Sequence, residues 1–434
     1  MKLSIFQIML FSVFGVAALI GLFVFATHKS TSGTSTVGSV LIWGTLPSTD
    51  IQRALVTIGQ TEAGLKTVSY VQKNPATLQA DLAAAIATGD APDLVLASQE
   101  ELRPLEKFIS PIPTATLPAR AFTNTFIEEG NLFAVPGGAG YYGVPFLVDP
   151  LELFSNRSVL SSNGIATPPS TWESLTGLVP SIAVLTSSHQ ITRGLIALGT
   201  YDNVHDARGI LSALFLQTSV PVTAYSSGGA LSADLGISSN DANSPGQAVV
   251  GFYTQFADPS KVSYTWNSSL PDSQQAFLNG DLALYIGYAS EAQYFAAANP
   301  NLDFQVSPLP QPATATGKST YGLLYAFMIP RGAKNASGAY QAAVLFTNSA
   351  EQSAAAGATG LAPATLSQLS TAPSDPTAAV AYTEALYAKG WLSPAPTDID
   401  TVFSGMIGNV ISGRLTLQAA LANAESALNS LLQQ

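Results

Sequence analysis

The chain has 434 residues, of which 47% are hydrophobic and only 10% are charged, and its formal net charge is −11. This acidic balance excludes a nucleic-acid partner, because no basic stripe is present to displace counterions from phosphates. The absence of cysteine excludes disulfides, thiolate metal sites, a cysteine nucleophile and lipid attachment through cysteine.

The first predicted element is an apolar segment at residues 3–26, LSIFQIMLFSVFGVAALIGLFVFA, which contains no charged residue. As a helix rising about 1.5 Å per residue, it would cross the roughly 30 Å hydrocarbon layer of a membrane. A cleaved signal peptide is the alternative, but its apolar core is usually about 7–15 residues long. We therefore expect residues 1–29 to be a membrane anchor, or a signal segment if they are cleaved. Residues 30–39 are rich in Ser, Thr and Gly and predict a flexible tether.

The next elements alternate between strands and helices. Short apolar runs at residues 40–44 and 91–97 predict buried strands, and residues 67–72 predict a third strand. Helical spacing of apolar residues predicts helices over 51–60 and 74–89. This alternation is typical of a mostly parallel sheet with helices on both faces.

Ligands of such sheets bind beyond the carboxyl ends of the strands. Trp43 ends the first strand, and Gln99 and Glu100 follow the strand at 91–97, so these three are candidate ligand residues. An aromatic ring can pack against an apolar face of a small ligand, and amides or carboxylates can hydrogen-bond its polar groups. The plainer alternatives are a core tryptophan for Trp43 and a solvated loop for Gln99 and Glu100.

Further along the chain, residues 141–148 (YYGVPFLV) are apolar and are interrupted by Pro145, which predicts a connection between two lobes. Residues 282–288 (LALYIGY) and 321–329 (YGLLYAFMI) predict two more strands. The Ala- and Leu-rich stretch at 415–432 predicts a final helix.

Five motifs in chain order resemble those of one family: residues 85–95 (AIATGDAPDLV), 142–157 (YGVPFLVDPLELFSNR), 164–173 (GIATPPSTWE), 276–284 (AFLNGDLAL) and 412–421 (SGRLTLQAAL). By these motifs the chain is identified as a member of the extracellular solute-binding proteins of ABC importers, in the maltose-binding-protein-like, carbohydrate-associated branch. The resemblance covers nearly everything from residue 40 onward. The chain departs from it at Ser155, where an aromatic residue is usual, and in its apolar start combined with the lack of cysteine.

The resemblance implies an α/β, two-lobed periplasmic-binding-protein fold of type II-like architecture, with a ligand cleft between the lobes and one N-terminal transmembrane helix before them. Residues 40–147 and 322–370 would form lobe 1, and residues 148–321 and 371–434 would form lobe 2. Hinge closure would be coupled to the ligand, because only the closed form makes both sets of contacts.

The resemblance also places further candidate ligand residues. Asp149 lies on the first crossing, where relatives carry a hydroxyl-binding acid, and Tyr288 lies where they carry ring-stacking aromatics. Tyr321 lies on the second crossing, and Asp400 falls where relatives carry a late-chain ligand residue. Trp266, in a Tyr-x-Trp-Asn stretch, is a candidate aromatic at the rim of the cleft.

The predicted function is an extracellular receptor that captures a sugar or oligosaccharide and delivers it to ABC permease subunits. We expect a monomer that binds no nucleic acid, needs no cofactor or metal, and is held at the membrane with its globular part outside the cell or in the periplasm. No G-x-S-x-G or H-E-x-x-H motif is present, so we expect no catalytic residues. The alternatives are a membrane-anchored sensor or adhesion module and an anchored polysaccharide-processing enzyme. The sequence leaves the identity of the ligand open.

Overall fold

The computed structural model describes residues 37–226, 228–238 and 244–433. Its strands are β1 Val40–Gly44, β2 Val68–Gln72, β3 Leu94–Ser98, β4 Ile112–Pro113, β5 Gly140–Tyr141, β6 Gly143–Asn156, β7 Val184–Leu185, β8 Ile191–Ile196, β9 Val222–Tyr225, β10 Leu231–Asp234, β11 Leu282–Tyr288, β12 Phe304–Pro308, β13 Thr320–Met328, β14 Ala362–Pro363 and β15 Ala388–Lys389. Its α-helices are α1 Ser48–Thr61, α2 Pro75–Thr88, α3 Leu102–Leu105, α4 Ala119–Thr125, α5 Arg157–Ser162, α6 Trp172–Gly177, α7 Val179–Ile182, α8 Ala207–Gln217, α9 Pro245–Thr254, α10 Ser273–Asn279, α11 Glu291–Ala298, α12 Ala336–Phe346, α13 Ser349–Thr359, α14 Leu366–Leu369, α15 Pro376–Ala385, α16 Pro396–Ile411 and α17 Leu417–Leu432.

The early elements follow the predicted alternation of strand and helix. The helix α2 shows why: the Asn74 side chain accepts a hydrogen bond from the N–H of Ala76, and Pro75 occupies the first turn. The helix ends at Gly89, whose φ of 77° is left-handed and suits glycine. The predictions of β1, α1, β2, α2 and β3 are confirmed, as are those of β11, β13 and α17.

The main sheet has the strand order β2-β1-β3-β13-β6-β11-β8-β7. On one side, β1 runs parallel to β2 and β3, and β13 is antiparallel to both β3 and β6. On the other side, β11 is antiparallel to β6 and parallel to β8. The strands β12 and β14 also pair with β6, and β15 pairs with β13.

The strand β6 is shared by two halves of the molecule. Its fourteen residues are all buried. Residues 143–150 pair with β13, whereas residues 151–156 pair with β11 and β12. We call lobe 1 the half around β1, β2, β3 and residues 143–150. We call lobe 2 the half around β7, β8, β11, β12 and residues 151–156.

The lobes have separate apolar cores. In lobe 1 the sheet has an apolar cluster on each face, because successive side chains of a strand point to opposite faces. Leu96 and Phe327 belong to one cluster and Val95 and Met328 to the other. The core of lobe 2 is a single larger cluster whose aromatic rings pack mostly edge to face, among them Phe154, Phe277, Tyr285 and Phe295.

The predicted lobe boundaries at 147–148 and 321–322 lie inside β6 and β13, so the chain crosses there as continuous strands. The third predicted boundary, at 370–371, precedes α15, which packs with both halves. Ala381 and Ala385 share an apolar cluster with Val95 of β3, and Glu384 accepts a hydrogen bond from the Leu309 N–H just after β12. From Trp391 onward, through α16 and α17, the buried apolar residues pack almost entirely into the core of lobe 2.

The predicted membrane anchor at residues 3–26 lies outside the described residues, as does most of the predicted tether. Within the described ranges, no helix combines the length and the apolar character needed to cross a membrane.

Candidate functional site

The loops that follow β1, β3, β8 and β11 converge where β6 and β13 pass between the lobes. Two of the cavities there are called A and B. Cavity A measures about 470 Å³ and is lined by Thr45, Leu46, Pro47, Asp50, Asp149, Gln274, Ser290, Glu291, Gln293, Tyr294, Tyr325, Thr359 and Leu361. Cavity B measures about 420 Å³ and is lined by Tyr201, Asp202, Val204, His205, Asp206, Ala207, Arg208, Gly209, Tyr288, Leu323 and Asp400.

Cavity A has walls from both lobes. Thr45 and Asp50 come from the loop and helix after β1 in lobe 1, and Ser290 and Glu291 come from the loop and helix after β11 in lobe 2. The Thr45 hydroxyl oxygen is buried and has no hydrogen-bond partner among the described residues. Carboxylate, amide, hydroxyl and phenol groups dominate this wall, so the cavity offers a polar ligand many hydrogen-bonding groups.

Asp149 fixes the lobe 2 wall of cavity A to the crossing strand β6. Its Oδ1 accepts a hydrogen bond from the N–H of Ser290 at 3.0 Å, and its Oδ2 accepts one from the Ser290 hydroxyl at 2.6 Å. Burial raises the pKa of Asp149 to about 7, against the lowering effect of these hydrogen bonds. Asp149 therefore lines cavity A, and both of its oxygens also order the loop after β11.

Glu291 connects the two cavities. Its Oε1 accepts a hydrogen bond from the N–H of Tyr288 at 2.8 Å, and its Oε2 accepts one from the Tyr285 hydroxyl at 2.6 Å. The same hydroxyl lies 3.2 Å from Oδ2 of Asp206. Burial raises the pKa of Asp206 well above its ordinary value, and the neighbouring Glu291 raises it further. Gly287 leaves room for this arrangement, because a Cβ there would lie 2.4 Å from Oε1 of Glu291.

The centre of the cleft is built around Arg208, on the first turn of α8 in lobe 2. Its Nε and Nη2 donate to Oε1 and Oε2 of Glu100 in lobe 1 at 3.2 and 2.9 Å. Its Nη1 donates to Oδ2 of Asp400 at 2.6 Å, and the Tyr201 hydroxyl donates to Oδ1 of Asp400 at 2.6 Å. Burial alone would lower the pKa of Arg208, but Glu100 and Asp400 outweigh it and hold the pKa above its ordinary value.

Tyr288 and Asp400 lie on the wall of cavity B, where the predictions place ligand residues. The Tyr288 hydroxyl approaches α8 so closely that a Cβ at Gly209 would lie 2.6 Å from it. Burial raises the pKa of Tyr288 well above its ordinary value, so its hydroxyl stays protonated. Glu100 is at the same centre, but Arg208 already occupies both of its oxygens.

Gln99 and Tyr321, two of the predicted ligand residues, are buried behind the residues that line the cavities. The Gln99 side chain is 0% exposed, and its amide is hydrogen-bonded to the backbone of β13. Its Nε2 donates to the Gly322 carbonyl at 2.8 Å, and its Oε1 accepts from the Leu324 N–H at 2.7 Å. The Tyr321 ring is also 0% exposed, and its hydroxyl donates to Oε1 of Glu100 at 2.5 Å. Neither Gln99 nor Tyr321 lines a cavity, so the expectation of direct ligand contact is corrected for both.

Two predicted tryptophans lie away from both cavities. Trp43 is half-buried, and the Lys73 ammonium lies 3.8 Å from the centroid of its ring. Trp43 is not among the residues that line cavity A or cavity B, and its ring packs against Lys73 instead. Trp266 is 1% exposed and belongs to the core of lobe 2, so it is not a rim aromatic.

Sequence reasoning missed Arg208, Tyr201 and the Ser290–Glu291 pair. A signal was present, because the polar run 200–208 and the residues after 288 both follow carboxyl ends of strands. Within the described part of the chain, no three His, Asp or Glu side chains are grouped so as to hold a metal ion.

Comparison with solved structures shows the class of fold. The cyclic α-maltosyl-1,6-maltose binding protein of Arthrobacter globiformis superposes with a TM-score of 0.74 at 15% identity, covering 91% of this chain and 99% of that one. A cyclo/maltodextrin-binding protein complexed with maltotetraose gives 0.71 at 14% identity, with 91% and 97% covered. The maltose/maltodextrin-binding domain of Bdellovibrio bacteriovorus bound to maltotriose gives 0.66 at 16% identity, with 92% and 100% covered. The chain thus has the two-lobed α/β fold of solute-binding proteins.

The family follows from the sequence itself. The family model described as bacterial extracellular solute-binding protein matches residues 55–383, which is most of the chain. The protein therefore belongs to the bacterial extracellular solute-binding proteins. A comparison with curated proteins finds no match.

Proposed function

We propose that this protein is an extracellular receptor that captures a sugar or oligosaccharide between its lobes and delivers it to the permease of an ABC transporter. The observation that carries the proposal is cavity A, whose wall combines polar side chains of both lobes at the ends of β1 and β11. A ligand there would contact both lobes at once. Family membership and the sugar-binding names of its structural neighbours support the same conclusion.

The chemistry of the wall supports a hydroxyl-rich ligand. The amides of Gln274 and Gln293 and the hydroxyls of Thr45 and Ser290 can donate or accept hydrogen bonds. Tyr294 is exposed and provides an aromatic face on which a sugar ring can pack. A volume of about 470 Å³ is within the range of about 300–1,000 Å³ usual for small-molecule sites.

The experiment is a calorimetric titration of the full chain, purified in a detergent without a sugar headgroup. The panel comprises maltotriose, maltotetraose and cyclic maltosyl-maltose, together with cellotriose and xylotriose. A bound ligand at 100-fold excess over its Kd should add about 2.7 kcal/mol of stability, so thermal denaturation provides a second readout. Binding of none of these sugars, or of any other neutral glycan in a wider panel, would contradict the proposal.

Two variants locate the site. Tyr294→Ala in cavity A and Tyr288→Ala in cavity B remove aromatic faces that we propose contact the ligand, so each should weaken binding at least 10-fold. Tyr340→Ala is the matched control, because Tyr340 lies on α12 of lobe 1 and lines neither cavity. Trp43→Ala should also leave affinity unchanged. Equal affinity of all four variants would place the ligand elsewhere.

We also propose that residues 3–26 hold the receptor at the membrane, because this apolar stretch carries no charge and has the length of a bilayer span. The test is membrane fractionation of cells that express the full chain. The protein should stay in the membrane pellet after extraction at high pH and be released by detergent. Release of a shortened chain, with its N-terminus near residue 30, would indicate cleavage instead.

A further inference from the structure

Among the described residues, Arg208 makes the one ion pair that joins the two lobes at the centre of the cleft. Arg208 belongs to α8 of lobe 2, and Glu100 follows β3 of lobe 1. The guanidinium donates two nearly parallel hydrogen bonds to the carboxylate, at 3.2 and 2.9 Å. This is the bidentate geometry that makes Arg–carboxylate pairs strong and directional. Gln293 of α11 adds a longer contact between the lobes, 3.4 Å to the Gly357 carbonyl of α13.

Each end of the bridge is held by its own surroundings. Within lobe 2, Asp400 and the Pro396 carbonyl accept hydrogen bonds from Nη1 of Arg208, at 2.6 and 3.3 Å. At the other end, the Tyr321 hydroxyl of β13 donates to Glu100. The guanidinium is therefore oriented toward lobe 1, and the carboxylate toward lobe 2, before any ligand arrives. A preorganised pair loses less conformational entropy when it forms than two free side chains do.

The two side chains of the bridge are also largely buried from solvent. Glu100 is 3% exposed, and the side chain of Arg208 is 22% exposed. Opening the cleft would return both groups to water, whereas closing it removes them from water and replaces that hydration with the ion pair. In a clamshell receptor, a ligand usually supplies the contacts that make the closed form favourable. Here the chain supplies one such contact itself.

We infer that Arg208 determines the resting position of the lobes, so that the Arg208–Glu100 bridge keeps the cleft closed in the ligand-free protein.

Arg208 is also the only Lys or Arg among the described residues that line cavities A and B, and the bridge to Glu100 already pairs its charge. Those walls otherwise carry the carboxyl groups of Asp50, Asp149 and Glu291 in cavity A and of Asp202, Asp206 and Asp400 in cavity B. Because no second Lys or Arg among the described residues lines these walls to pair with an anion, the cleft favours an uncharged ligand over an anionic one. This second statement rests on the proposed sugar-binding function, and the first does not.

The closure is tested without any ligand, by measuring a distance between the lobes of the full chain. The sequence contains no cysteine, so Val56→Cys on lobe 1 and Val262→Cys on lobe 2 can be spin-labelled cleanly. Both side chains are exposed. The parent should give one narrow distance distribution that a bound ligand hardly changes. Arg208→Met should give a longer and broader distribution, because it removes the charge but keeps an apolar stem of similar length.

Two further variants keep the test decisive. Glu100→Gln removes the charge from the opposite end and should open the cleft in the same direction, which covers the case in which Arg208→Met does not fold. Arg157→Met is the matched control, since it removes an exposed ion pair with Asp303 that lies within lobe 2. A parent that is already as open as Arg208→Met, or an unchanged distance in both Arg208→Met and Glu100→Gln, would overturn the inference about closure.

The charge selectivity is tested by titrating trigalacturonate beside the neutral trisaccharides. We expect affinity for the anionic sugar to be at least 100-fold weaker than for the neutral sugar that binds best. Binding of trigalacturonate as tight as that of neutral sugars would refute the selectivity alone. Failure of every sugar to bind would refute the proposed function, while the ligand-free distances would still decide the closure.

Discussion

Glu384 is a buried carboxyl group in a setting that favours its neutral form. It lies on α15 and is 2% exposed, and its Oε2 accepts a hydrogen bond from the Leu309 N–H at 3.2 Å. Burial raises the pKa of Glu384 from 4.5 to about 7, against the lowering effects of that hydrogen bond and of Lys318. The neighbouring Glu152 is buried without a hydrogen-bond partner in the described residues, and burial and Glu384 both raise its pKa.

The sign of the effect follows from proton counting. Because the pKa of Glu384 is higher in the folded chain than in the unfolded chain, the folded state holds more protons between about pH 4.5 and 7. The free energy of unfolding therefore falls as the pH rises through this window. At about 1.36 kcal/mol per pKa unit, the shift from 4.5 to about 7 corresponds to about 3 kcal/mol lost above pH 7. Glu384→Gln cannot ionise, and it keeps an oxygen that can accept from Leu309.

The measurement is urea denaturation of parent and Glu384→Gln at half-unit steps from pH 4 to 8. The two proteins should differ little at pH 4, and the variant should be more stable at pH 8 by up to about 3 kcal/mol. Glu128→Gln is the control, because Glu128 is exposed, and it should follow the parent at every pH. If Glu384→Gln and the parent lose the same stability between pH 4.5 and 7, the reasoning about this buried carboxyl group is wrong.

Two further substitutions test the packing, one at the end of the first sheet away from the cleft and one beside the cleft. The Asp93 carboxylate accepts hydrogen bonds from the N–H groups of Leu41 and Asn335, both at 2.9 Å. Asp93→Ala should therefore lower the free energy of unfolding by about 1–3 kcal/mol for each N–H group that it leaves unpaired. Asp93→Asn should lower it less, and equal losses for the two variants in denaturant melts would contradict this account. Gly287→Ala should destabilise the fold by about 1–3 kcal/mol, because its Cβ would lie 2.4 Å from Oε1 of Glu291. An unchanged melting temperature in Gly287→Ala would show that the loop after β11 can move aside.

The sequence pattern predicts the sheet well, because buried strands leave a local signature. Residues 282–288 form an unbroken apolar run after Gly280 and Asp281, and β11 spans the same residues in the structure. The resemblance to solute-binding proteins also predicts part of the cleft: Asp149, on the crossing strand β6, and Tyr288, at the end of β11, lie on cavity walls. The position of Tyr288 agrees with the rule that ligands bind beyond the carboxyl ends of the strands.

The same rule fails where the partner of a side chain is distant in sequence. Gln99 follows β3 as predicted, yet its amide is saturated by the backbone of β13, 223 and 225 positions away. No local pattern reveals that pairing. Trp266 lies in a polar stretch that predicts a rim, but its ring fills the core of lobe 2. Arg208 was missed for the same reason, since its two carboxylate partners come from positions 108 and 192 residues away.

The late position of β13 also affects how this polypeptide is made. The strand β3 pairs with β1 early in the chain, but its other neighbour is β13, and the Leu324 N–H bonds to Gln99 across 225 positions. Until residue 328 has left the ribosome, the first sheet keeps an unpaired edge and its hydrophobic faces stay incompletely covered. Such long-range pairing slows folding. Because the first sheet cannot be completed until β13 is made, the nascent chain stays unfolded for most of its synthesis. An unfolded chain can pass through a secretion channel, so this order of strands suits export before folding.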